Sequence, residues 1–215
     1  MSSKRKPPCC KVVLLGDSGV GKTCIISRYI SGGFDNNCPS TNGASYATKI
    51  LEFKDVNKTI SLDIWDTAGQ EKYKSLTKFF YKDAAVAILV YEITKKQTFD
   101  NVTKYWYEQL QEFGAKDIII GVAGNKCDIY DQEEVDENEA RQFAEKIGAF
   151  FELTSAKNNT GINELFQEAA ERYVYKDRKD NKNNNSKDEG EENNNVKLSK
   201  NNFKSEPAEK RRKFC

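Results

Sequence analysis

Three short runs in this chain are almost uniformly apolar: residues 11–15 (KVVLL), 84–91 (AAVAILVY) and 118–123 (IIIGVA). A strand with one wet face alternates between apolar and polar positions. A run that does not alternate must be covered on both sides, as strands of a parallel sheet are when helices pack on each face. Helical patterns lie between and after these runs. Asp136 with Glu139 three residues on has the form of a capping box, followed by Ala140, Phe143, Ala144 and Ile147 at i, i+3, i+4, i+7. The last helical pattern is Ile162, Leu165, Phe166, Ala169 and Tyr173. Residues 59–65 (TISLDIW) alternate instead, and are expected to pair with residues 45–53 as a hairpin at the sheet edge. The fold class is α/β, a doubly wound sheet whose ligand sits beyond the carboxyl ends of its strands.

The pattern stops after Tyr175. Residues 177–206 carry two Asn triplets, with Val196, Leu198 and Phe203 as their large apolar residues. Such a segment buries too little surface to offset its ordering entropy and is expected to be disordered. The expected organisation is a short extension (1–10), one domain (11–176) and a hypervariable tail (177–215), with no internal repeat.

Composition excludes several chemistries. The 215 residues contain no histidine, which removes Ser-His-Asp and Cys-His nucleophiles and every His-based metal site. Charge is nearly balanced, 34 Lys+Arg against 33 Asp+Glu, so no nucleic-acid partner is expected. The balance is uneven along the chain, at net +4 for residues 176–215 and −3 before them. Cysteines at 9, 10, 24, 38, 127 and 215 include no C-x-x-C pair, and without a secretory signal they suit a reducing compartment. No apolar run approaches the roughly 18 residues of a membrane span, and the Met1-Ser2 start lacks the Gly of N-myristoylation. The expectation is a cytoplasmic, monomeric protein.

The first apolar run leads into Gly16-Asp17-Ser18-Gly19-Val20-Gly21-Lys22-Thr23, which fits G-x-x-x-x-G-K-[ST], followed by a helical stretch at 24–30. Glycines let the backbone wrap phosphates with its N–H groups pointing inward, and a helix N-terminus adds positive potential. Lys22 is expected to reach the β- and γ-phosphates, and the Thr23 hydroxyl to ligate Mg²⁺. Asp66-Thr67-Ala68-Gly69-Gln70 follows the alternating run. Asp66 is placed to hold Mg²⁺ through water, Gly69 to offer its N–H to the γ-phosphate, and Gln70 to orient the attacking water. Asn125-Lys126-Cys127-Asp128 follows the third apolar run. The Asp128 carboxylate can accept from guanine N1–H and its exocyclic amine, a donor pair that adenine lacks. Ser155-Ala156-Lys157, after an expected strand at 149–153, can bring a backbone N–H to guanine O6.

These motifs, in this order and spacing, resemble a Ras-like small GTPase, specifically the Rab family. The resemblance runs from about Cys10 to Tyr175 and includes WDTAGQEKY at 65–73 and Tyr91-Glu92-Ile93-Thr94, close to the family's Y-D-I-T. Residues 40–46 (STNGASY) resemble switch I of the early-endosomal branch. The resemblance implies a P-loop G domain, a six-stranded, mostly parallel sheet with one antiparallel edge strand and about five flanking helices. It implies GTP/GDP as the bound nucleotide, with Cys24 joining the phosphate loop in contacting it. Thr41 would ligate Mg²⁺ and sense the γ-phosphate, Phe34 would lie against the guanine ring, and Ser18 would sit where side-chain size tunes hydrolysis. Tyr46, Trp65 and Phe80 match the aromatic trio through which Rabs meet effectors; core packing is the alternative role for Trp65, and the two are compatible. Three departures stand out: Asn42 where Ile is usual, Phe80 where Tyr is commoner, and extra length around residues 55–58.

The implied mechanism is a switch: the γ-phosphate and Mg²⁺ order both switch segments, and hydrolysis releases them. Arginines occur only at 5, 28, 141, 172, 178, 211 and 212, so neither switch can supply an arginine finger in cis. Intrinsic turnover is therefore expected on the order of 10⁻⁴ s⁻¹, raised ~10³–10⁵-fold by an activating protein that inserts its own Arg. The chain ends Lys210-Arg211-Arg212-Lys213-Phe214-Cys215. The resemblance implies geranylgeranylation of Cys215 through an escort protein, with the basic run as a second membrane signal, where Rabs usually offer two cysteines. It also implies a dissociation inhibitor, an exchange factor, an activating protein and effectors as partners. The implied location is reversible attachment to the cytosolic face of endosomal or vesicle membranes. Cys9 and Cys10 are either palmitoylation sites or the opening of the first strand. A P-loop kinase would need an arginine-bearing lid that this chain has no room for, and a non-hydrolysing scaffold would not need Gln70, Thr41 and Gly69.

Overall fold

The computed structural model describes residues 6–36, 41, 44–67, 80–81 and 83–185, with side chains for all but 44 and 177–185. Each of the three apolar runs forms a central strand: β1 (Cys9–Leu15), β4 (Val86–Glu92) and β5 (Ile119–Asn125). β2 (Ala44–Phe53) and β3 (Lys58–Thr67) form the expected hairpin, antiparallel from Ala44↔Thr67 to Phe53↔Lys58. β6 (Phe150–Thr154) completes a sheet of order β2-β3-β1-β4-β5-β6, parallel except at β2. Because β1 lies between β3 and β4, the chain winds first to one side of β1 and then to the other. The crevice at its carboxyl end is the topological switch point.

The lack of alternation has the expected cause. Val12 and Leu14 of β1, with Val86, Ile88 and Val90 of β4, pack on one face beneath α1 (Lys22–Ser31) and α5 (Ile162–Asn185). Val13 and Leu15, with Ala87, Leu89 and Tyr91, pack on the other beneath α2 (Lys96–Asn101), α3 (Tyr107–Phe113) and α4 (Glu137–Lys146). In β3, Ile60, Leu62 and Ile64 are fully buried, and Ser61 and Asp63 between them are half-buried on the outer side. Tyr29 of α1 stacks on Phe166 of α5, ring centroids 4.1 Å apart, tying the two helices of one face together.

Two features differ from the sequence expectation and two go beyond it. Only half of the capping box forms: Asp136 accepts from Asn138 N–H and Glu139 N–H, while the Glu139 carboxylate pairs with Lys96 instead. α2 and α3 are continuous through a π-helical stretch, Val102–Trp106, for which composition carries no signal. The interswitch insert forms a short 3₁₀ turn, Lys54–Val56, closed by Asn57 in the left-handed region, and Tyr175 Oη donates to Asp55. Finally, α5 continues past Tyr175 to Asn185, into the stretch expected to be disordered. Extending a helix already docked on the sheet adds one hydrogen bond per residue without a new nucleation cost, so a polar sequence can continue it. Among the described residues, no helix is long and apolar enough to cross a membrane.

Candidate nucleotide site

The loop after β1 is shaped by three glycines with positive φ: Gly16 (147°), Gly19 (83°) and Gly21 (99°). A Cβ at Gly16 would lie 2.2 Å from the Val90 carbonyl oxygen, and one at Gly21 would lie 2.3 Å from Asn125 Nδ2. Gly19 meets nothing within 4 Å, so it borders open space where a ligand can approach the backbone. Beside it, Ser18 is exposed and Val20 fully buried. α1 starts at Lys22 with neither a side-chain cap nor an acidic residue in its first turn, leaving its N-terminal amides to an anion. Lys22, 5% exposed, is held over the loop by the carbonyls of Gly16 (2.8 Å) and Asp17 (2.9 Å). Burial pushes its ammonium down to about 8, although Asp66 and Asp17 pull the other way. A phosphate would restore the counter-charge that the buried ammonium lacks.

Three oxygens converge next to the loop. Thr23 Oγ1 donates to Asp66 Oδ2 (2.7 Å), Thr41 Oγ1 donates to the same oxygen (2.9 Å), and the two hydroxyls lie 2.6 Å apart. Two hydroxyl protons serve three short contacts, so one edge of the triangle has no hydrogen to hold it. The other Asp66 oxygen, Oδ1, is buried without a hydrogen-bond partner among the described residues. Neighbouring ligands of Mg²⁺ at 2.0–2.1 Å lie about 2.9 Å from each other, so two hydroxyls this close, backed by a carboxylate whose orphaned oxygen can hold a metal-bound water, fit a hard cation. Among the described residues, no three His, Cys, Asp or Glu side chains are grouped so that they could hold a metal ion.

The base end is assembled from β5 and β6. Asn125, buried at the end of β5, donates from Nδ2 to the Val20 carbonyl (2.7 Å) and accepts at Oδ1 from Thr154 (3.2 Å). It thus pins the glycine loop to the ends of β5 and β6. Asp128 Oδ1 accepts from Ser155 Oγ (2.6 Å), and Oδ2 lies 4.0 Å from Lys157 Nζ. A carboxylate has about four lone-pair directions, so both oxygens retain capacity for a purine's donors. Ala156 is buried, Phe34 half-buried and Cys24 half-buried against the core.

Several contacts that hold this arrangement carried no sequence signal. Asp17 accepts from Trp106 Nε1 (2.8 Å) and Asn101 Nδ2 (2.5 Å), which anchors the loop to the π-helical stretch. Glu92, 4% exposed, binds Lys126 (2.9 Å), Lys95 (3.2 Å) and Thr94 (2.8 Å). Burial opposes its charge, but these hydrogen bonds hold its carboxyl below the ordinary value. Arg28 reaches from α1 to the loop after β6. The Asp17 and Arg28 contacts join residues 84–129 positions apart, beyond any local motif.

Of the remaining expected site residues, Gly69 and Gln70 lie outside the described residues, as do Asn42 and Cys215. The aromatic trio is contiguous: Tyr46 and Trp65 ring centroids are 5.2 Å apart, and Trp65 and Phe80 5.8 Å. Tyr46 is exposed while Trp65 and Phe80 are half-buried, so the rings form a surface. Cys9 and Cys10 do open β1, Cys9 donating its thiol to Asp63 (2.9 Å) and Cys10 fully buried.

A doubly wound sheet with a glycine loop and a hydroxyl–carboxylate triangle at its switch point is the architecture of a P-loop GTPase. Comparison with protein families agrees: residues 11–175 match the Ras family, and the chain belongs to it. It is 46% identical to human Ras-related protein Rab-22A over 162 residues, 75% of this chain and 82% of that protein. It is 46% identical to rat Rab-31 over 157 residues (73% and 79%), and 44% identical to Rab11A of Lotus japonicus over 156 (73% and 68%). Within the family it is a Rab protein, a GTP-hydrolysing regulator of vesicle trafficking.

Proposed function

We propose that the chain is a GTP/GDP switch whose phosphate loop, cation triangle and base pocket act as one unit, and that it works on endosomal membranes. The observation that carries this reading is the Thr23–Thr41–Asp66 triangle with its orphaned carboxylate oxygen, next to the uncapped start of α1. Thr41 belongs to the segment before β2 and Thr23 to α1, so the triangle joins a switch segment to the phosphate loop.

In the proposed mechanism, the amides of Ser18, Gly19, Val20, Gly21, Lys22, Thr23 and Cys24 bind the α- and β-phosphates. Lys22 carries its ammonium between the β- and γ-phosphates. Thr23 and Thr41 would hold Mg²⁺ directly and Asp66 through water; the cation would supply charge neutralisation at the β- and γ-oxygens. Gly69 donates its N–H to the γ-phosphate, and Gln70 orients the attacking water. Phe34 covers one face of the purine, with Asn125, Lys126 and Asp128 at its edge and Ser155, Ala156 and Lys157 at O6. Loss of the γ-phosphate releases Thr41 and Gly69, and with them the surface around Tyr46, Trp65 and Phe80 that meets effectors. None of the three arginines with described side chains supplies a finger: Arg28 binds Ala156, Arg141 binds Glu137 and Arg172 binds Glu168. Exchange and activating proteins then set the cycle rate.

For the membrane step, Cys215 carries a geranylgeranyl group added with an escort protein, and a dissociation inhibitor extracts the GDP form. The Lys210–Lys213 basic run adds attraction of about 1 kcal/mol per residue to an anionic leaflet. Similarity to Rab-22A and Rab-31 supports an endosomal location. The test is chromatographic: purified protein should carry guanine nucleotide, and single-turnover GTP hydrolysis without a partner should run on the order of 10⁻⁴ s⁻¹. A partner-free rate near 10⁻² s⁻¹, the range of enzymes with an arginine in cis, would contradict the mechanism.

A further inference from the structure

Arg28, in the last turn of α1, turns its guanidinium back across the base end of the crevice. Its Nε donates to the Ala156 carbonyl (2.7 Å), one terminal nitrogen donates to the Lys157 carbonyl (2.9 Å), and the other to the Gly32 carbonyl (2.5 Å). The guanidinium carbon lies 5.7 Å from the centre of the Phe34 ring. One side chain therefore joins the end of α1, the loop after β6 and the aromatic residue beside the crevice.

The consequence follows from peptide geometry. In a trans peptide, the carbonyl of one residue and the N–H of the next point in opposite directions. With the Ala156 carbonyl turned to Arg28, the Lys157 N–H is turned away from it. The Ser155 carbonyl is likewise held, by Thr160 N–H (3.1 Å), which turns the Ala156 N–H the opposite way. Neither amide has an acceptor among the described residues. The next N–H, of Asn158, is taken by Ser155 Oγ (3.0 Å), the hydroxyl that also binds Asp128. Two neighbouring amides are thus left to a ligand beside the carboxylate, their directions set by bonds on the far side of the loop.

We infer that Arg28 is a positioning residue for purine recognition: it fixes the peptide plane between Ala156 and Lys157 so that the Lys157 N–H meets the 6-oxygen beside the Ala156 N–H, which the Thr160–Ser155 bond orients, and it braces Phe34 against the ring. Arg28 does not touch the nucleotide. The fold does not depend on it to join α1 to α5, because Tyr29 stacks on Phe166 one residue along. The inference rests on the guanine-nucleotide reading and extends it to the residue that sets the O6 contact.

The test compares GDP, inosine diphosphate and 6-thioguanosine diphosphate on wild-type protein and on Arg28→Met, which keeps the apolar stem and removes every donor. GDP and its 6-thio analogue differ only at the atom the two amides address; GDP and inosine diphosphate differ only at the amine that Asp128 addresses. Arg28→Met is expected to weaken GDP about tenfold, the value of one neutral hydrogen bond, and to lower the GDP/6-thio preference by a similar factor. The GDP/inosine preference should not change. Arg28→Lys, with one compact donor, should fall between, and replaces the Met variant if that does not fold. An unchanged GDP/6-thio ratio in either variant overturns the inference and leaves Arg28 a structural tie. Failure of the underlying reading looks different: wild-type protein would then bind ADP as well as GDP.

Discussion

Asn125→Ala removes a single amide that two distant segments share. Its Nδ2 donates to the Val20 carbonyl at 2.7 Å, and its Oδ1 accepts from Thr154 at 3.2 Å, with Asn125 2% exposed and both partners fully buried. Alanine leaves the carbonyl and the hydroxyl without partners where water does not reach. Each orphaned group costs about 1–3 kcal/mol, the weaker 3.2 Å contact at the low end, so the sum is about 2–4 kcal/mol. The Val20 share should appear at the nucleotide, because Gly21 sits against the same amide and the loop loses its seat. At 1.4 kcal/mol per decade, that share of about 1–3 kcal/mol should accelerate release of a fluorescent GDP analogue by about 5- to 140-fold. Thr154→Val is the internal control: it removes only the hydroxyl, leaves the Val20 bond in place and should change release by less than about fivefold. The reasoning fails if Asn125→Ala changes release by less than about threefold, or if Thr154→Val matches it.

Three further outcomes are expected. Glu92, whose carboxyl is held below its ordinary value, contributes stability at neutral pH that is lost as the pH falls below about 4.5. Glu92→Gln should cost about 1–2 kcal/mol at pH 7 by urea unfolding with GDP present, since Lys126 and Lys95 are partly solvated, and the deficit should shrink toward pH 4. Chelation with EDTA should speed GDP release from wild-type protein and have little effect on Thr23→Ala or Asp66→Asn; equal acceleration in all three would argue against the cation site. Intact mass after expression in a eukaryotic host should show a geranylgeranyl adduct on Cys215, and an unmodified thiol in membrane-bound protein would end the lipid proposal.

The phosphate loop, the alternating hairpin and the doubly wound class of the sheet were legible because each rests on local spacing. Gly16, Gly19 and Gly21 are set by backbone conformations that glycine tolerates and side chains do not. The central strands declared themselves by having no polar face. Arg28, Asp17 and Asn125 serve the site through partners 84–129 residues away, or through a carbonyl on another loop, and no periodicity encodes such pairs. Glu139 shows how a local rule yields: its motif offers an N-terminal cap, but Lys96 from another helix competes for the carboxylate and wins. The extent of α5 was missed for a related reason, since its polar residues, read alone, give no hint that a docked helix precedes them.

Calorimetric titration of nucleotide-free protein with GTP and with ATP, each with Mg²⁺, is the most direct test of guanine selection by Asp128. GTP should bind at least about 10⁴-fold more tightly, as expected when the wrong base leaves the Asp128 carboxylate without its two purine donors, and Asp128→Ala should remove most of that margin. Equal affinity for the two nucleotides, or a margin that survives the substitution, would contradict it.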